Sequence, residues 1–239
     1  VVKKFLAKEA HLPLKDVPHD SANENVAMPM GIEVIPANSE VDKKILIPME
    51  GEETREMARL DAVELITTPK GEKVIDFKQE ITGYVEWVVP ARKGATFMLQ
   101  HAEFLDKDGN FYTENLRSAK CEIEVTSNGV EQVYKPHFSF QGFRFIKLIG
   151  FNDDEIKLEN FTAVVVFSDM KRTGFFACGH EDIQQLYENI VWGQRGNFLD
   201  IPTDCPQRDE RMGWTGDAQV FARTAIYNYD TKKFFRKWL

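Results

Sequence analysis

The chain has little cysteine, no long apolar run and no surplus of positive charge, and each shortage removes a class of protein. Its three cysteines, Cys121, Cys178 and Cys205, are odd in number, far apart and without a Cys-x-x-Cys pair, and its five histidines are scattered. That pattern argues against a disulfide framework, although a single bridge stays open, and against a structural zinc site. No metal and no cofactor are expected. The longest apolar run, residues 163–167, falls far short of the roughly 20 residues of a membrane helix. The 30 basic and 38 acidic residues leave a net charge of −8. Nucleic acids and anionic membranes are bound through basic surfaces, so neither is expected as a partner, whereas a neutral substrate is compatible. What is present in quantity is apolar side chain, 43% of 239 residues, enough for one large or two medium domains.

Residues 1–57 hold Pro13, Pro18, Pro29, Pro36 and Pro48, half of the ten prolines. They show little periodicity and are expected to be irregular or a remnant of a preceding domain. From 58 to 170 the pattern is one of short strands. Residues 74–77, 84–89, 95–99, 121–125, 143–148 and 161–167 are apolar, several with period-two alternation that turns one face inward. Asp108-Gly109 and Asn128-Gly129 supply turn signals between them. The stretch around Asp106, Asp108 and Asn110 reads as a hairpin turn rather than a calcium loop, because its glycine comes too early and no glutamate closes it. His101 and His137 fall in strand-rich stretches and read as satisfied sandwich residues. An antiparallel β-sandwich is predicted.

From 171 to 239 the period is helical. Ile183, Leu186, Tyr187, Ile190 and Val191 form one apolar stripe read as core packing. Residues 196–213 break it with Pro202, Pro206 and many charges, and are read as a loop. Thr215 is predicted to cap the next helix, with Asp217 in its first turn, and Asp230 to cap a last one holding Phe234, Phe235 and Trp238. The start lacks an initiator Met or secretory signal, and the last residues continue a helical pattern. Both suggest a piece of a longer protein. Phe221, Ile226, Phe234 and Trp238 are accordingly expected to expose apolar surface in the isolated chain.

The chemically dense stretch runs from Asp200 to Asp217. Asp200, Asp204, Asp209, Glu210 and Asp217 stand beside Arg208, Arg211 and Trp214, on a backbone stiffened by two prolines. Crowded carboxylates repel, so at least one is expected to hold its proton toward neutral pH. Such an acid can protonate a departing glycosidic oxygen, while a tryptophan face suits a sugar ring. A solvated charged loop beside a core tryptophan would have the same composition.

The run Asp204-Cys205-Pro206-Gln207-Arg208-Asp209-Glu210-Arg211 followed by Gly213-Trp214-Thr215-Gly216-Asp217 resembles the signature of the bacterial α-L-rhamnosidases, glycoside hydrolase family 78. His101-Ala102-Glu103, the stretch from Tyr112 through Arg117, and that from Pro136 through Phe145 resemble the family's β-sandwich domain. Residues 187–190 and 197–203 resemble the entry to its catalytic barrel. The resemblance implies a concanavalin-like β-sandwich followed by the first helices of an (α/α)6 six-hairpin barrel. It also implies release of terminal α-L-rhamnose from glycosides or polysaccharides. Glu210 matches the general acid. Asp204 and Asp217 match carboxylates that hold rhamnose hydroxyls, Trp214 an aromatic wall, and Arg208 and Asp209 loop supports within the same binding set. The family inverts anomeric configuration, which calls for a base about 6.5–9.5 Å from the acid. In the family that base lies later in the barrel, so the rest of the polypeptide is the expected partner. A non-catalytic carbohydrate-binding or structural module remains the alternative. The resemblance is to bacterial proteins; the residues do not choose between cytoplasm and periplasm.

Overall fold

The computed structural model describes residues 48–239, so the expectation for residues 1–57 lies mostly outside the described residues. Its end is regular, because β1 (Thr54–Asp61) already pairs with the sheet. The order is β then α, as predicted. Strands β2 (Glu64–Thr67), β3 (Lys73–Val89), β4 (Thr96–Ala102), β5 (Glu122–Thr126), β6 (Gln132–Tyr134), β7 (Gln141–Ile149) and β8 (Phe161–Ser168) complete an eight-stranded antiparallel sheet.

One strand makes this sheet curl into a sandwich-like half-barrel. The two short strands expected over 74–77 and 84–89 are a single 17-residue β3. Its first part, Lys73 to Asp76, lies between β2 and β7, and its later part, Gly83 to Trp87, pairs with β8. Between them the register shifts from Asp76 to Ile81, a bulge that bends the strand. Lys78 within it takes φ 63°, a left-handed conformation unusual for a residue with a Cβ. Asp76 holds the bend in place. Buried at 1% exposure, it accepts two 2.8 Å hydrogen bonds from the Arg144 guanidinium of β7 and one of 2.6 Å from the Lys78 N–H.

Burial alone would raise the proton affinity of Asp76, but the bonds from Arg144 and Lys78 outweigh it and hold the carboxyl at about 2 against an ordinary 3.8. A depressed carboxyl stabilises the fold above its unfolded value, and that stability is lost as pH falls through the folded one. Between pH 4 and pH 2 the protein is expected to lose about 2 kcal/mol through this group. Denaturant unfolding at both pH values should show the loss in wild type and not in Asp76→Asn. Equal slopes for the two proteins would disprove it.

Inside the curl, Trp87 stacks on Phe161 with ring planes 4° apart and meets Phe97 edge-on at 6.3 Å, the heart of the first core. The turn at Asp106 is an Asx turn, its carboxylate accepting the N–H groups of Asp108 and Asn110. His101 is fully buried, donates from Nδ1 to Cys121 O at 2.9 Å, and is pushed down to about 4 by burial, so it is neutral and structural.

The helical part comprises α1 (Glu181–Asn197), α2 (Thr215–Asn228) and α3 (Lys232–Trp238). Helix α1 carries Glu181 and Asp182 in its first turn and Arg195 in its last, the signs its dipole favours. It packs on β3 and β8, and Thr82 Oγ1 donates to Gly196 O at 2.8 Å. Buried Gln194 ties α1 to α2, donating to Ala225 O and accepting from Asn228 Nδ2. A second core gathers Val191, Phe198, Ala225, Tyr229 and Phe234.

Four expectations change here. Trp214 rather than Thr215 occupies the N-cap of α2, and Thr231 rather than Asp230 that of α3, although Asp230 still accepts the Lys232 N–H at 3.3 Å. The stripe of α1 is divided: Val191 is core, whereas Ile183 and Leu186 are exposed, along with Val220 and Ile226 of α2. Phe234, expected to be exposed, is buried against Phe198 with ring centroids 4.6 Å apart. No described helix is long and apolar enough to cross a membrane.

Candidate active site

The stretch read as a loop between α1 and α2 is tied at its neck. Two short strands, β9 (Phe198–Leu199) and β10 (Ile201–Pro202), fold back on each other with Asp200 at φ 69° between them. Thr203 then bridges to Gly213 and donates both its N–H and its hydroxyl to Asn197 O. Across the neck the Asp204 and Met212 N–H groups donate, respectively, to Met212 O and to Asp204 Oδ1 at 3.3 Å. The segment 205–211 is thereby a closed excursion, and closure returns Glu210 to Asp204. Coordinating atoms of Asp204, Cys205 and Glu210 lie within 4.8 Å of one another.

Arginine organises this cluster. Arg208 Nη2 stands 2.6 Å from Glu210 Oε2 and 3.7 Å from Asp204 Oδ2. Arg117, from the β part of the chain, stands 3.3 Å from Glu210 Oε1. The Glu210 side chain is 34% exposed and that of Asp204 only 8%. Burial raises the proton affinity of Asp204. Hydrogen bonds from Cys205 Sγ and the Met212 N–H, with the contact to Glu210, more than reverse this, so the carboxyl sits below its usual range. Asp209 is also lowered, first by the Ser118 hydroxyl that donates to it. The two loop carboxyls whose affinity is displaced thus move down, against the expectation that crowding raises one. Arginine and hydroxyl donors outweigh mutual repulsion.

A cavity of about 550 Å³ opens beside the cluster, lined by α1, the neck and the start of α2, with Asp204 and Asp217 as its carboxylates. Asp204 is therefore shared between the cavity and the Glu210 cluster. Glu210, Arg208, Asp209 and Trp214 lie off the cavity lining. Trp214 is 48% exposed, a free aromatic face at the start of α2. Asp200 is drawn away, paired with Lys237 of α3.

The β part supplies the floor under the loop. Gly142 faces Pro206 and Gln207 so closely that a Cβ would come within 2.8 Å of the proline ring. Cys121 Sγ donates to Gln207 O at 2.9 Å, and Arg211 Nη1 to Phe140 O at 3.5 Å. Phe140 and Gly142 lie in a stretch of β-sandwich whose family resemblance is noted above and Cys121 lies outside those stretches, and nothing in their own spacing points to the loop.

Two carboxyls were given no role by the sequence reading. Glu80, within the β3 bulge, and Glu103, after β4, share a polar crevice of about 480 Å³ with Arg144, Gln185 and Asn189. Burial first, and the nearby Glu103 second, push Glu80 up to about 9. Burial also raises Glu103, against hydrogen bonds from Gln207 and from Asn115 Nδ2 at 2.7 Å. Glu80, a lone glutamate in an alternating strand, reads as solvent-facing, and Glu103 was marked only as part of the resemblance to the family's β-sandwich domain.

Residues 66–167 match the family model of the bacterial α-L-rhamnosidase concanavalin-like domain, and residues 171–239 that of the bacterial α-L-rhamnosidase six-hairpin glycosidase domain. The chain is 45% identical over 170 residues to an α-L-rhamnosidase of Formosa agariphila, covering 70% of this chain and 18% of the relative. It is 40% identical over 205 residues to one of Streptomyces avermitilis, covering 85% and 20%. Among solved structures, an Aspergillus terreus α-L-rhamnosidase superposes with a TM-score of 0.79 at 41% identity over 83% of this chain and 23% of that one. The Streptomyces avermitilis α-L-rhamnosidase complexed with L-rhamnose gives 0.77 at 39% identity, over 81% and 19%. The chain thus spans about a fifth of the length of these relatives. With two consecutive domain models matched in order and a fold shared with solved members, the chain belongs to the bacterial α-L-rhamnosidases of glycoside hydrolase family 78.

Proposed function

We propose that the protein carrying this chain is an inverting glycoside hydrolase that releases terminal α-L-rhamnose, with Glu210 as its general acid. The observation that supports this best is the Glu210 carboxyl, held by Arg208 at 2.6 Å and gathered beside an Asp204 that also walls the cavity. In the reaction the Glu210 proton passes to the glycosidic oxygen as the C1–O bond breaks, and the bonding pair leaves with the aglycone. Asp204 and Asp217 accept hydrogen bonds from rhamnose hydroxyls, and Trp214 faces the ring. Arg208 and Asp209 hold the loop. A change of domain near residue 170 fits this reading, with the β domain before it and the barrel after.

Water must be activated from the opposite face by a second carboxylate. Asp204 and Asp217 are the carboxylates of the cavity lining, and both are assigned to hydroxyls, so the base comes from elsewhere in the polypeptide. That same assignment favours a second reading, in which this segment alone binds carbohydrate without turnover. Proton NMR of the whole enzyme acting on an aryl α-L-rhamnoside separates them. β-L-rhamnose is expected as the first-formed anomer. The α-anomer first would overturn inversion, and rhamnose binding without release would favour the second reading.

A further inference from the structure

The segment from Arg117 to Cys121 runs beside the acidic loop in reversed order. Cys121 Sγ donates to Gln207 O, Ser118 Oγ donates to Asp209, and Arg117 Nη1 reaches Glu210 Oε1 at 3.3 Å. The β domain, matched over 66–167, therefore touches three positions of a loop matched by the glycosidase domain. Arg117 stands in an unusual place to do so. It ends the short 3-10 turn Glu114–Leu116 at φ 59° and ψ −119°, a conformation that favours glycine and costs any residue with a Cβ free energy. Leu116 before it is buried at 2% exposure, and the Ala119 N–H donates to Leu116 O, so the backbone cannot relax without disturbing the core. A side chain kept where glycine would be easier has its use in what it reaches, and here it reaches the Glu210 carboxyl.

We propose that Arg117 is a positioning residue for the proton donor, contributed to the active site by the β domain and acting through Glu210. The inference rests on Glu210 being the general acid. Arg208 takes Oε2 and Arg117 takes Oε1, so one guanidinium meets each oxygen and the carboxyl is held in a single orientation. As the C1–O bond breaks, the Glu210 proton moves to the leaving oxygen and a carboxylate remains between the two cations. The Arg117 contact is then charge-assisted on both sides and stronger than before transfer, which is the condition for lowering a barrier rather than merely binding. Its effect grows with the amount of proton transfer the leaving group demands.

A leaving-group series in the whole enzyme tests this, with Arg117→Gly as the central variant. Glycine removes the side chain while suiting the backbone angles, so thermal stability is expected to be equal to wild type or higher. The kcat on an alkyl α-L-rhamnoside should fall about tenfold, and on a dinitrophenyl α-L-rhamnoside stay within about twofold. Arg117→Lys, which keeps the charge, should recover part of the alkyl rate. An equal loss on both substrates, or no loss on either, overturns the positioning role. Glu210→Gln run beside it separates the two claims. If Glu210→Gln lacks the leaving-group dependence, the general-acid reading fails and this inference with it. If Glu210→Gln shows the dependence and Arg117→Gly does not, only the inference about Arg117 fails.

Discussion

Replacing Glu210 by glutamine in the whole enzyme is expected to lower kcat on an alkyl α-L-rhamnoside by about 10²–10⁴-fold, the range a positioned general acid contributes. Glutamine keeps the shape of the side chain and can still face Arg208 and Asp204, but it has no carboxylic proton to give. The loss should shrink on a dinitrophenyl rhamnoside, whose oxygen departs with little help. The substrate KM should change little, because Glu210 lies off the lining of the cavity that Asp204 and Asp217 share. Steady-state kinetics on the two substrates provide the check. A uniform loss of less than threefold on both would remove Glu210 from the chemistry. The geometry favours this carboxyl over its neighbours as the proposed acid. Asp209 is occupied by Ser118 and Asp200 by Lys237. Asp204 is held below its usual range by its donors, which leaves it an acceptor rather than a proton donor.

Glu80→Gln is expected to stabilise the protein at neutral and mildly alkaline pH. Burial, with Glu103 beside it, lifts Glu80 to about 9 from an ordinary 4.5. One of its oxygens is sealed from solvent without a hydrogen-bond partner, and the nearest cation, Arg144, is committed to Asp76 through two bonds. The folded protein therefore binds a proton here that the unfolded chain gives up. Because the folded state binds more protons between pH 4.5 and 9, stability is greatest below that window and falls as pH rises through it. A glutamine is neutral in both states and escapes the loss. The advantage of Glu80→Gln should be near zero at pH 4.5 and reach at most about 3 kcal/mol at pH 7, at about 1.4 kcal/mol for each pH unit. Denaturant midpoints of both proteins across this range read it directly. Parallel curves would show that Glu80 is charged and solvated in the folded protein. Its retention in wild type is then a stability cost at the junction of β3, β4 and α1.

The β domain and the barrel helices meet through polar contacts that no single segment announces. Period-two alternation located the strands because each buries one face, yet it could not show that residues 74–77 and 84–89 belong to one strand. The joining residues include Lys78 at a positive φ, and Asp76, bonded to Lys78 and reaching Arg144 across the sheet, holds that bend. Likewise the stripe of α1 correctly marked a helix, but which members of it are buried depends on what stands opposite. Val191 meets the second core, whereas Ile183 and Leu186 meet none of the described residues' cores.

For the site, the residue run from Asp204 to Asp217 by itself determined the family and nominated Glu210, because rare residue types at fixed spacing carry that information locally. What those residues do to one another was decided only by the fold. Closure of the neck between Thr203 and Gly213 sets Glu210 beside Asp204. The return of β7 puts Gly142 beneath Pro206, and the turn after Leu116 delivers Arg117 to a carboxyl 93 positions away in sequence, Arg117 against Glu210. Proton affinity followed the same division. Charge counting predicted repulsion, but the sign at Asp204 and Asp209 came from donors that sequence distance hides, and the raised carboxyls lie at Glu80 and Glu103. The physical reason is that composition reports how many charges are near in the chain, whereas desolvation and hydrogen bonding depend on what is near in space.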